Sequence, residues 1–290
     1  MKKITDIFDE KPWTLSFEFF PPKTDKGRQR LWESAEALAG LGADFFSVTY
    51  GAGGSESHAT LDVVLGLLYR HDVAVMHHLT CIKHTYREIR EQLAAMSRVG
   101  VRNIMALRGD PRKDEPDFVP GPDQPKYAYQ LVEIIHELRG DWFCTGVAAF
   151  PEGHPMAGTV QLDSQYLRIK QDRGADFAVT QLFFNNDVYL RFVDRVRDAG
   201  VSMRLIPGLL PVVNYEKLVQ FCNTCGATIP KEVHEIFEPI KNDPEETRKR
   251  GIDFAVRQCQ DLINRGAPGL HLYCLNRAEP ARTIVDAVDF

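Results

Sequence analysis

Eight short apolar segments, rich in β-branched and aromatic residues, recur along the chain. They span 15–20, 44–50, 73–81, 103–107, 142–150, 177–184, 203–210 and 269–275. Each run is almost continuously apolar rather than alternating, which is typical of strands in a parallel sheet that is covered by helices. The pattern therefore predicts eight buried parallel strands.

Between these runs, apolar residues return every three or four positions, as they do in amphipathic helices. Examples are GRQRLWESAEALAGLG at 27–42, HATLDVVLGLLYRH at 58–71 and TYREIREQLAAMSRVG at 85–100. Several such stretches end on a glycine, such as Gly100 and Gly174, which is a common helix stop. The connection over 211–268 is long enough to hold more than one helix.

Strict alternation of eight strands with helices favours a closed α/β barrel, a (β/α)8 TIM barrel that forms a single domain over 1–290. The alternative is an open doubly wound sheet, but the Gly-rich dinucleotide turn that is usual there is missing from the sequence. No linker or low-complexity tract indicates an internal boundary. We therefore expect one barrel.

The composition limits the class of partner. The chain has 44% hydrophobic and 26% charged residues and a net charge of −5, which argues against nucleic acid as the main partner. The first residues, MKKITDIFDEKPW, carry acidic groups where a signal peptide needs an apolar run, and no window approaches the roughly 18 apolar residues of a membrane span. We expect a cytoplasmic protein with no membrane partner.

The six cysteines are scattered, and only Cys222 and Cys225 form a CxxC pair. A zinc site of this type would need a second pair, so inert or structural thiols are favoured over metal or redox chemistry. The nine histidines include no HExxH or comparable spacing. We therefore predict no metal centre.

Barrel enzymes place their working groups where the strands end and the following loops begin. The polar residues at those positions converge on one mouth: Glu18, Thr49, His78, Arg108, Asp110, His154, Gln181, Tyr273 and Arg277. His77 and His78 are adjacent on one strand, so at most one of them can face the site. By residue type, His154 and Lys170 are more commonly an ordinary loop histidine and a solvated lysine. The Gly-rich SVTYGAGGSES is compatible with a ligand loop or with a plain turn.

Glu18 stands in SFEFFPPK between phenylalanines, with Phe17 before it and Phe19 and Phe20 after it. If these rings surround the carboxyl, they penalise its charged form, which would suit it to act as a general acid. Because side chains alternate along a strand, an outer-face position or a core ion pair stays open for Glu18.

Four further residues have both a chemical and a structural interpretation. Arg108 in LRGDPR offers a donor fork for a phosphate or a ring carbonyl, and Asp110 can bond an amino-pyrimidine edge. Alternatively, the two form a surface ion pair in a turn. Gln181 is either a core bridge or a ligand contact, and Arg277 binds an anionic substrate tail or begins a helix with a salt bridge.

Eight motifs, SFEFFPPK, SVTYGAGG, HHLTC, LRGDPR, AAFPEGHP, TQLFF, IPGLLP and YCLNRAE, follow the order of the predicted strands. Over roughly 15–280 they closely resemble the methylenetetrahydrofolate reductase family, in its bacterial type that has the catalytic barrel only. The resemblance implies a flavoprotein that holds FAD non-covalently and takes a hydride from NADH or NADPH as co-substrate. It would reduce 5,10-methylenetetrahydrofolate to 5-methyltetrahydrofolate with ping-pong kinetics, in one-carbon metabolism and methionine biosynthesis.

The resemblance also assigns roles by motif position. It implies that Glu18 is the acid that helps to open the folate ring and that Asp110 meets both flavin and pterin. The implied folate contacts are Gln181, Phe221, Tyr273 and Arg277. The implied flavin contacts are Thr49, Tyr50, Ala52, His78, Leu107, Arg108, Gly109, Asp110, Tyr127, Phe150, His154, Ala157, Asp163 and Lys170. Phe150 stands where a tyrosine is frequent, and Tyr166 and Ile169 replace polar residues expected around the ribityl-diphosphate.

Two other hypotheses stay open. One is a family relative that takes electrons from a ferredoxin or flavoprotein partner instead of a nicotinamide. The other is a non-catalytic folate- or flavin-binding subunit, which the joint presence of Glu18, Asp110 and Gln181 argues against. We expect a homo-oligomer that lacks the regulatory domain of longer family members.

Overall fold

The structure, a computed structural model, describes residues 1–50, 57–111 and 114–290. Its strands are β1 Thr14–Phe19, β2 Phe45–Val48, β3 Ala74–Thr80, β4 Asn103–Leu107, β5 Cys144–Ala149, β6 Phe177–Thr180, β7 Arg204–Ile206, β8 Gly208–Leu209 and β9 Gly269–Tyr273. Its helices are α1 Ile4–Glu10, α2 Asp25–Ala39, α3 Ser57–Arg70, α4 Tyr86–Arg98, α5 Ala128–Arg139, α6 Val160–Asp172, α7 Asn186–Asp198, α8 Tyr215–Cys225, α9 Lys231–Phe237, α10 Pro244–Asn264 and α11 Ala278–Asp286.

All neighbouring strands pair in parallel, in the order β7-β6-β5-β4-β3-β2-β1-β9-β8. The two edges of this sheet, β7 and β8, are separated only by Pro207, so the sheet closes on itself. Pro207 has no N–H to donate to a ladder, which explains why the single predicted strand over 203–210 is divided. Its carbonyl still accepts from His271 N–H at 2.9 Å. The predicted eight-stranded barrel is confirmed.

The main core lies between the strands and the surrounding helices. In β1, Leu15, Phe17 and Phe19 are buried there, and the Phe19 ring meets Phe46 edge-on at 5.2 Å between centroids. Apolar residues of this kind recur on the outer face of each strand, since alternate side chains of a strand face opposite sides. The helix layer over them shows the predicted glycine stops, with Gly100 and Gly174 at φ 86° and 107°.

A smaller core fills the lower half of the barrel and is closed by α1, which the hydrophobic pattern did not predict. Ile4 and Ile7 of α1 pack with barrel residues such as Phe45 and Phe177. Asn103 at the start of β4 accepts from the N–H of Ile4 at 2.8 Å, which satisfies a donor at the helix start. The amino-terminal end of the barrel is therefore plugged.

The long connection over 211–268 contains α8, α9 and α10, as its length predicted. Buried residues of these helices, among them Tyr215, Leu218 and Phe237, form a third cluster. Tyr273 at the end of β9 packs against it. The connection thus forms a wall beside the carboxyl end of the barrel.

Several strands end earlier than predicted. β6 stops at Thr180, so Gln181 is the first residue of the following loop. Likewise β2 stops at Val48, and Thr49 and Tyr50 follow it. In the described ranges no helix is long and apolar enough to cross a lipid bilayer.

Candidate active site

The side chain of Glu18 points into the barrel, where it meets His78 and His271. Its neighbours Phe17 and Phe19 lie on the opposite face, in the core under the helices, and Phe20 is 41% exposed. The expectation that phenyl rings surround this carboxyl was therefore wrong, because successive residues of a strand face opposite sides. The outer-face alternative for Glu18 is excluded as well.

Hydroxyl and imidazole groups surround the Glu18 carboxylate on the barrel side. Its Oε2 lies 3.6 Å from Nε2 of His78 and 3.7 Å from Nε2 of His271. Ser47 donates to the same oxygen at 3.5 Å. Ser16 Oγ lies 2.8 Å from Nδ1 of His271 and holds that ring from its other edge. The Glu18 side chain keeps 20% of its surface exposed, so it remains accessible from the mouth.

Burial controls the charge of the imidazole beside Glu18. It lowers the pKa of His78 to about 4, although the negative charge of Glu18 acts in the opposite direction. His78 is therefore neutral near pH 7, and its contact with Glu18 is not an ion pair there. His77 faces the other side of β3, where its ring meets Tyr50 at 6.1 Å between centroids. The prediction that only one of the two histidines can face the site is confirmed.

Tyr273 forms the next part of the mouth, on the strand beside Glu18. Its hydroxyl donates to the carbonyl of Thr180 at 2.7 Å, which ties the end of β9 across the barrel to the end of β6. Burial raises the pKa of Tyr273 well above its usual value, and the charge of Glu18 acts in the same direction. Tyr273 is therefore a neutral hydrogen-bonding group at any physiological pH.

The other predicted folate contacts come from three different elements. Gln181 directly follows β6, and its Oε1 accepts from the N–H of Leu182 at 2.9 Å. The Gln181 side-chain oxygen therefore bonds to the next residue of the chain and does not bridge two parts of the core. Phe221 lies on α8 and is 47% exposed. Arg277 is the exposed residue that precedes α11, and among the described residues no salt bridge of its side chain accompanies this helix start.

The turn after β4 carries Arg108 and Asp110 as an ion pair, with Nη2 and Oδ1 3.4 Å apart. The structure therefore shows the surface ion pair in a turn that was the alternative interpretation of these two residues. However, the Asp110 side chain is 89% exposed, and such pairs contribute only about 0–1 kcal/mol. Gly109 between them has φ 82°, and a Cβ there would lie 2.6 Å from Ile82 Cγ2. A glycine fixes the turn while both charged side chains stay available to a ligand.

A second group of charges lies on the fifth connection and the helix that follows. Lys170 is half-buried on α6 and donates to the carbonyl of Ala148 at 2.8 Å. Burial lowers its pKa to about 8, and the nearby Asp163 opposes this shift. Burial also lowers the pKa of His154, with the positive charges of Arg108 and Lys170 acting in the same direction. The solvated-lysine interpretation of Lys170 was therefore wrong.

These donors suit a phosphorylated cofactor. Arg108, His154 and Lys170 lie close enough to influence one another electrostatically, with the carboxylates of Asp110 and Asp163 beside them. A diphosphate would accept hydrogen bonds from all three donors. The residues present therefore fit a flavin adenine dinucleotide, whose diphosphate they would hold.

Four more of the implied flavin contacts lie at the end of β4 and on the fourth and fifth connections. The Phe150 ring meets the His154 ring edge-on at 4.6 Å between centroids. Phe150 thus contacts His154 through its ring, at a position where a tyrosine is frequent in the family. Ala157 is buried, and its N–H donates to the carbonyl of His154 at 2.9 Å. Leu107 ends β4, and Tyr127 is 53% exposed just before α5.

The residues that follow β2 contact different parts of the structure. The Tyr50 hydroxyl lies 3.2 Å from Nε2 of His84 and donates to Gln92 at 3.4 Å, among residues of the helix side. Thr49 follows β2, and its N–H donates to Phe19 at 2.9 Å. The predicted contact at residue 52, Ala52, lies outside the described residues.

Sequence reasoning missed Ser47, His271 and Asn276. Counting back by two from Thr49 and from Tyr273 would have placed the first two inside the barrel. Asn276 clamps the ends of β1 and β9, because its amide donates to Phe20 O at 2.8 Å and accepts from Phe20 N–H at 3.0 Å. It does so at φ 56°, a backbone conformation that no periodicity signals.

Comparison with known proteins relates the chain to one family. Residues 3–289 match the family described as Methylenetetrahydrofolate reductase. The 5,10-methylenetetrahydrofolate reductase of Salmonella typhimurium is 39% identical over 271 residues, which cover 93% of this chain and 88% of that protein. Methylenetetrahydrofolate reductase (NADH) 1 of Arabidopsis thaliana is 36% identical over 283 residues, which cover 94% of this chain and 48% of that protein. The chain thus spans about half the length of the plant relatives and most of the bacterial ones.

Solved structures show the same fold in distant proteins. An uncharacterised protein from Clostridium thermocellum, described as binding two copies of 5-methyl-5,6,7,8-tetrahydrofolic acid, matches with a TM-score of 0.61 and 13% identity. The match covers 98% of this chain and 96% of that one. Oxaloacetate acetylhydrolase matches with a TM-score of 0.54 and 11% identity, over 97% of this chain and 82% of that one. At such identities the likeness shows the fold alone.

Proposed function

The chain belongs to the methylenetetrahydrofolate reductase family, and from this premise we propose that it reduces 5,10-methylenetetrahydrofolate to 5-methyltetrahydrofolate. The observation that carries this proposal is the position of Glu18. Its carboxyl group stands inside the mouth of the barrel, next to an imidazole that is neutral at physiological pH. A carboxyl group in that place can deliver a proton to a bound substrate.

Opening the methylene bridge requires a proton on the folate nitrogen that departs. Glu18 supplies it in our proposal, because its side chain is accessible from the mouth and is held by Ser47 and His271 on the barrel side. The neutral His78 cannot form an ion pair with Glu18 near pH 7. In this proposal the proton comes from Glu18 and not from the neutral His78.

The folate is held by groups of two kinds. Gln181 and the exposed Arg277 present polar donors at the ends of β6 and β9, with Arg277 suited to a carboxylate of the substrate tail. Phe221 and Tyr273 offer aromatic surface beside them, and the tie between Tyr273 and Thr180 keeps one ring in place.

We further propose that the protein binds FAD non-covalently and uses NADH or NADPH as co-substrate, with ping-pong kinetics. When bound, FAD would carry a hydride from the nicotinamide to the folate. Arg108, His154 and Lys170 would hold the diphosphate, and Asp110, on the same turn as Arg108, would contact the flavin and the pterin. The protein itself orients the substrates, provides charged groups for the diphosphate and delivers the proton from Glu18.

The absorbance spectrum of the purified protein tests the proposal, followed by anaerobic titration with NADH and with NADPH. A yellow protein whose flavin bands bleach on addition of a nicotinamide and recover on addition of methylenetetrahydrofolate supports it. If dithionite bleaches the flavin while neither nicotinamide does, the electron donor is a partner protein instead. A colourless protein that takes up no FAD would overturn the flavin assignment.

A further inference from the structure

One feature at the mouth has no part in the proposed reaction, namely the thiol pair on the last turn of α8. Cys222 is buried and Cys225, the last residue of the helix, is half-buried. The Cys225 thiol donates to the carbonyl oxygen of Cys222 at 3.8 Å, and each thiol shifts the pKa of the other. They are therefore an associated pair and not two separate core residues.

The other four cysteines differ from Cys225 in burial and in the direction of the pKa shift. All four are fully or almost fully buried, and burial raises the pKa of each to about 12: Cys81, Cys144, Cys259 and Cys274. Such thiols are inert, because the thiolate is the reactive form. At the pair, a hydrogen bond from Cys222 and a further one from the backbone N–H of Ala227 hold the pKa of Cys225 below its usual value. The same pairing raises the pKa of Cys222.

The turn that carries the pair is fastened to the loop after β5. The N–H of Thr228 donates to Glu152 at 2.8 Å. Gly226 packs so closely on Pro155 that a Cβ at Gly226 would lie 2.6 Å from the Pro155 ring. This loop also carries His154, so the end of α8 and one side of the predicted cofactor site are in mechanical contact.

The pair also borders the predicted folate site. Phe221 precedes Cys222 on α8 and is 47% exposed. A negative charge on Cys225 acts on Tyr273, since it contributes to the raised pKa of that phenol. A chemical change at the pair would therefore affect both Phe221 and Tyr273.

We propose that Cys222 and Cys225 are a reversible oxidation site that responds to hydroperoxides and controls access of the folate to the mouth. The control of folate rests on the proposed function, whereas the oxidation itself does not. In the first step the Cys225 thiolate attacks the O–O bond of the hydroperoxide, gains one oxygen as a sulfenic acid and releases hydroxide or an alkoxide. The Cys222 thiol then displaces that oxygen as water, so that two thiols and one hydroperoxide give a disulfide, an alcohol or water, and one further water.

The geometry explains why this oxidation would alter binding. Side chains three apart on a helix have Cβ atoms about 5–6 Å apart, whereas a disulfide needs roughly 3.5–4.5 Å. The last turn must therefore tighten, and the hydrogen bond from Gly226 N–H to Cys222 O that now closes it, at 2.8 Å, must adjust. This adjustment would displace Phe221 before the pair and would disturb the hydrogen bond between Thr228 and Glu152 after it.

Thiol mapping by mass spectrometry tests the site itself. The holoenzyme is treated with a few equivalents of hydrogen peroxide, alkylated and digested. We expect a disulfide that joins Cys222 to Cys225, its reversal by dithiothreitol, and unmodified thiols at the four buried positions. In Cys222→Ser we expect a sulfenic acid at Cys225 that a dimedone probe traps, because the resolving thiol is gone. Oxidation that spares the pair, or that modifies the buried thiols equally, would overturn the proposal.

Equilibrium binding of 5-methyltetrahydrofolate tests the control of the mouth. Oxidised protein should bind about threefold to tenfold more weakly than reduced protein, as expected for loss of an aromatic contact. Cys225→Ser should bind normally and should not respond to peroxide. If the disulfide forms and binding is unchanged, control of the folate is disproved. If reduced protein binds no folate, the proposed function fails, and the thiol map still decides the oxidation site.

Discussion

Oε2 of Glu18 lies 3.6 Å from Nε2 of His78, and that imidazole carries no charge near pH 7, because burial lowers its pKa to about 4. The contact is therefore not an ion pair in the pH range where an enzyme of this kind works. The same burial imposes a cost on the fold. His78 and its neighbour His77, whose pKa burial lowers to about 3, must both stay neutral in the folded state.

This cost predicts how stability depends on pH. The unfolded chain protonates both imidazoles below about pH 6.5, whereas the folded protein does so only near pH 3–4. The unfolded state thus binds more protons in this window, and stability falls as the pH is lowered. We expect each imidazole to contribute on the order of 1 kcal/mol per pH unit. Urea unfolding of His77→Leu and of the parent protein at pH 7.5 and pH 5 measures this effect.

His77 suits that comparison because neither ring nitrogen has a hydrogen-bond partner in the described part of the chain. Leucine is of similar size and cannot be protonated. The variant should therefore lose less stability than the parent protein between pH 7.5 and pH 5. Equal losses in the two proteins would show that other groups, such as buried carboxylates, account for the acid sensitivity.

The plug at the base of the barrel gives a prediction that does not depend on function. Ile4 of α1 is fully buried in the inner core, so Ile4→Ala should lower the free energy of unfolding by about 2–5 kcal/mol. Tyr69→Ala is the matched control, because that side chain is 94% exposed and its loss should cost within about 0.5 kcal/mol. Chemical denaturation of both variants measures the difference. Similar small costs would show that α1 does not seal the barrel.

The same helix marks the limit of what the sequence could predict about the fold. Eight apolar runs separated by helical spacing led directly to the barrel, since both periods are properties of local sequence. α1 escaped because its seven residues contribute only a few apolar positions, Ile4 and Ile7 among them, and its packing partners lie far away in the chain. The division at Pro207 depends likewise on ring closure, which local patterning does not encode.

At the site, residue type and strand position predicted which side chains reach the mouth, but not what they meet there. The neighbours of Glu18 along the chain are phenylalanines, whereas its neighbours in space are Ser47, His78 and His271. Pairing between strands determines these contacts, and register cannot be derived from one strand alone. Lys170 was misjudged for a related reason, because its burial results from the packing of α6 on the barrel.

That burial supports a prediction about cofactor binding. Lys170→Met keeps the aliphatic chain and removes the charge that we assign to the diphosphate of FAD. A charge-assisted hydrogen bond contributes about 1.5–3 kcal/mol, so the affinity for FAD should fall roughly tenfold to a hundredfold. Fluorescence titration of apoprotein with FAD gives both dissociation constants. Lys249→Met, at an exposed position of α10, is the control that should bind FAD normally. Unchanged affinity in Lys170→Met would limit this lysine to its bond with Ala148.

Arg277 is expected to act on the folate and not on the flavin, because it follows β9 at the mouth and is exposed. Arg277→Ala should raise the KM for methylenetetrahydrofolate by roughly tenfold or more, as expected for loss of a charge-assisted contact. The rate of flavin reduction by the nicotinamide should stay within about twofold of the parent rate. Arg282→Ala removes an exposed arginine of the same helix and should change neither. Equal damage to both half-reactions would make Arg277 a structural residue.

Glu18 separates the two half-reactions most sharply, because only one of them needs a proton from the protein. Hydride transfer from a nicotinamide to a flavin needs no acid, whereas the folate nitrogen must be protonated as the bridge opens. Glu18→Gln keeps the size of the side chain and can still accept from Ser47, but it cannot deliver a proton. Folate reduction should therefore fall by about 10²–10⁴-fold, while FAD binding and flavin reduction persist.

Stopped-flow measurement of each half-reaction decides between the possible roles of Glu18. Its contact with His78 provides an internal check, because the neutral imidazole leaves the proton delivery to the carboxyl. His78→Asn should therefore lower folate reduction far less than Glu18→Gln does. If folate reduction survives in Glu18→Gln, another group is the acid. If flavin reduction collapses along with it, Glu18 holds the fold of the mouth, since a residue that acts only by proton delivery cannot affect the first half-reaction.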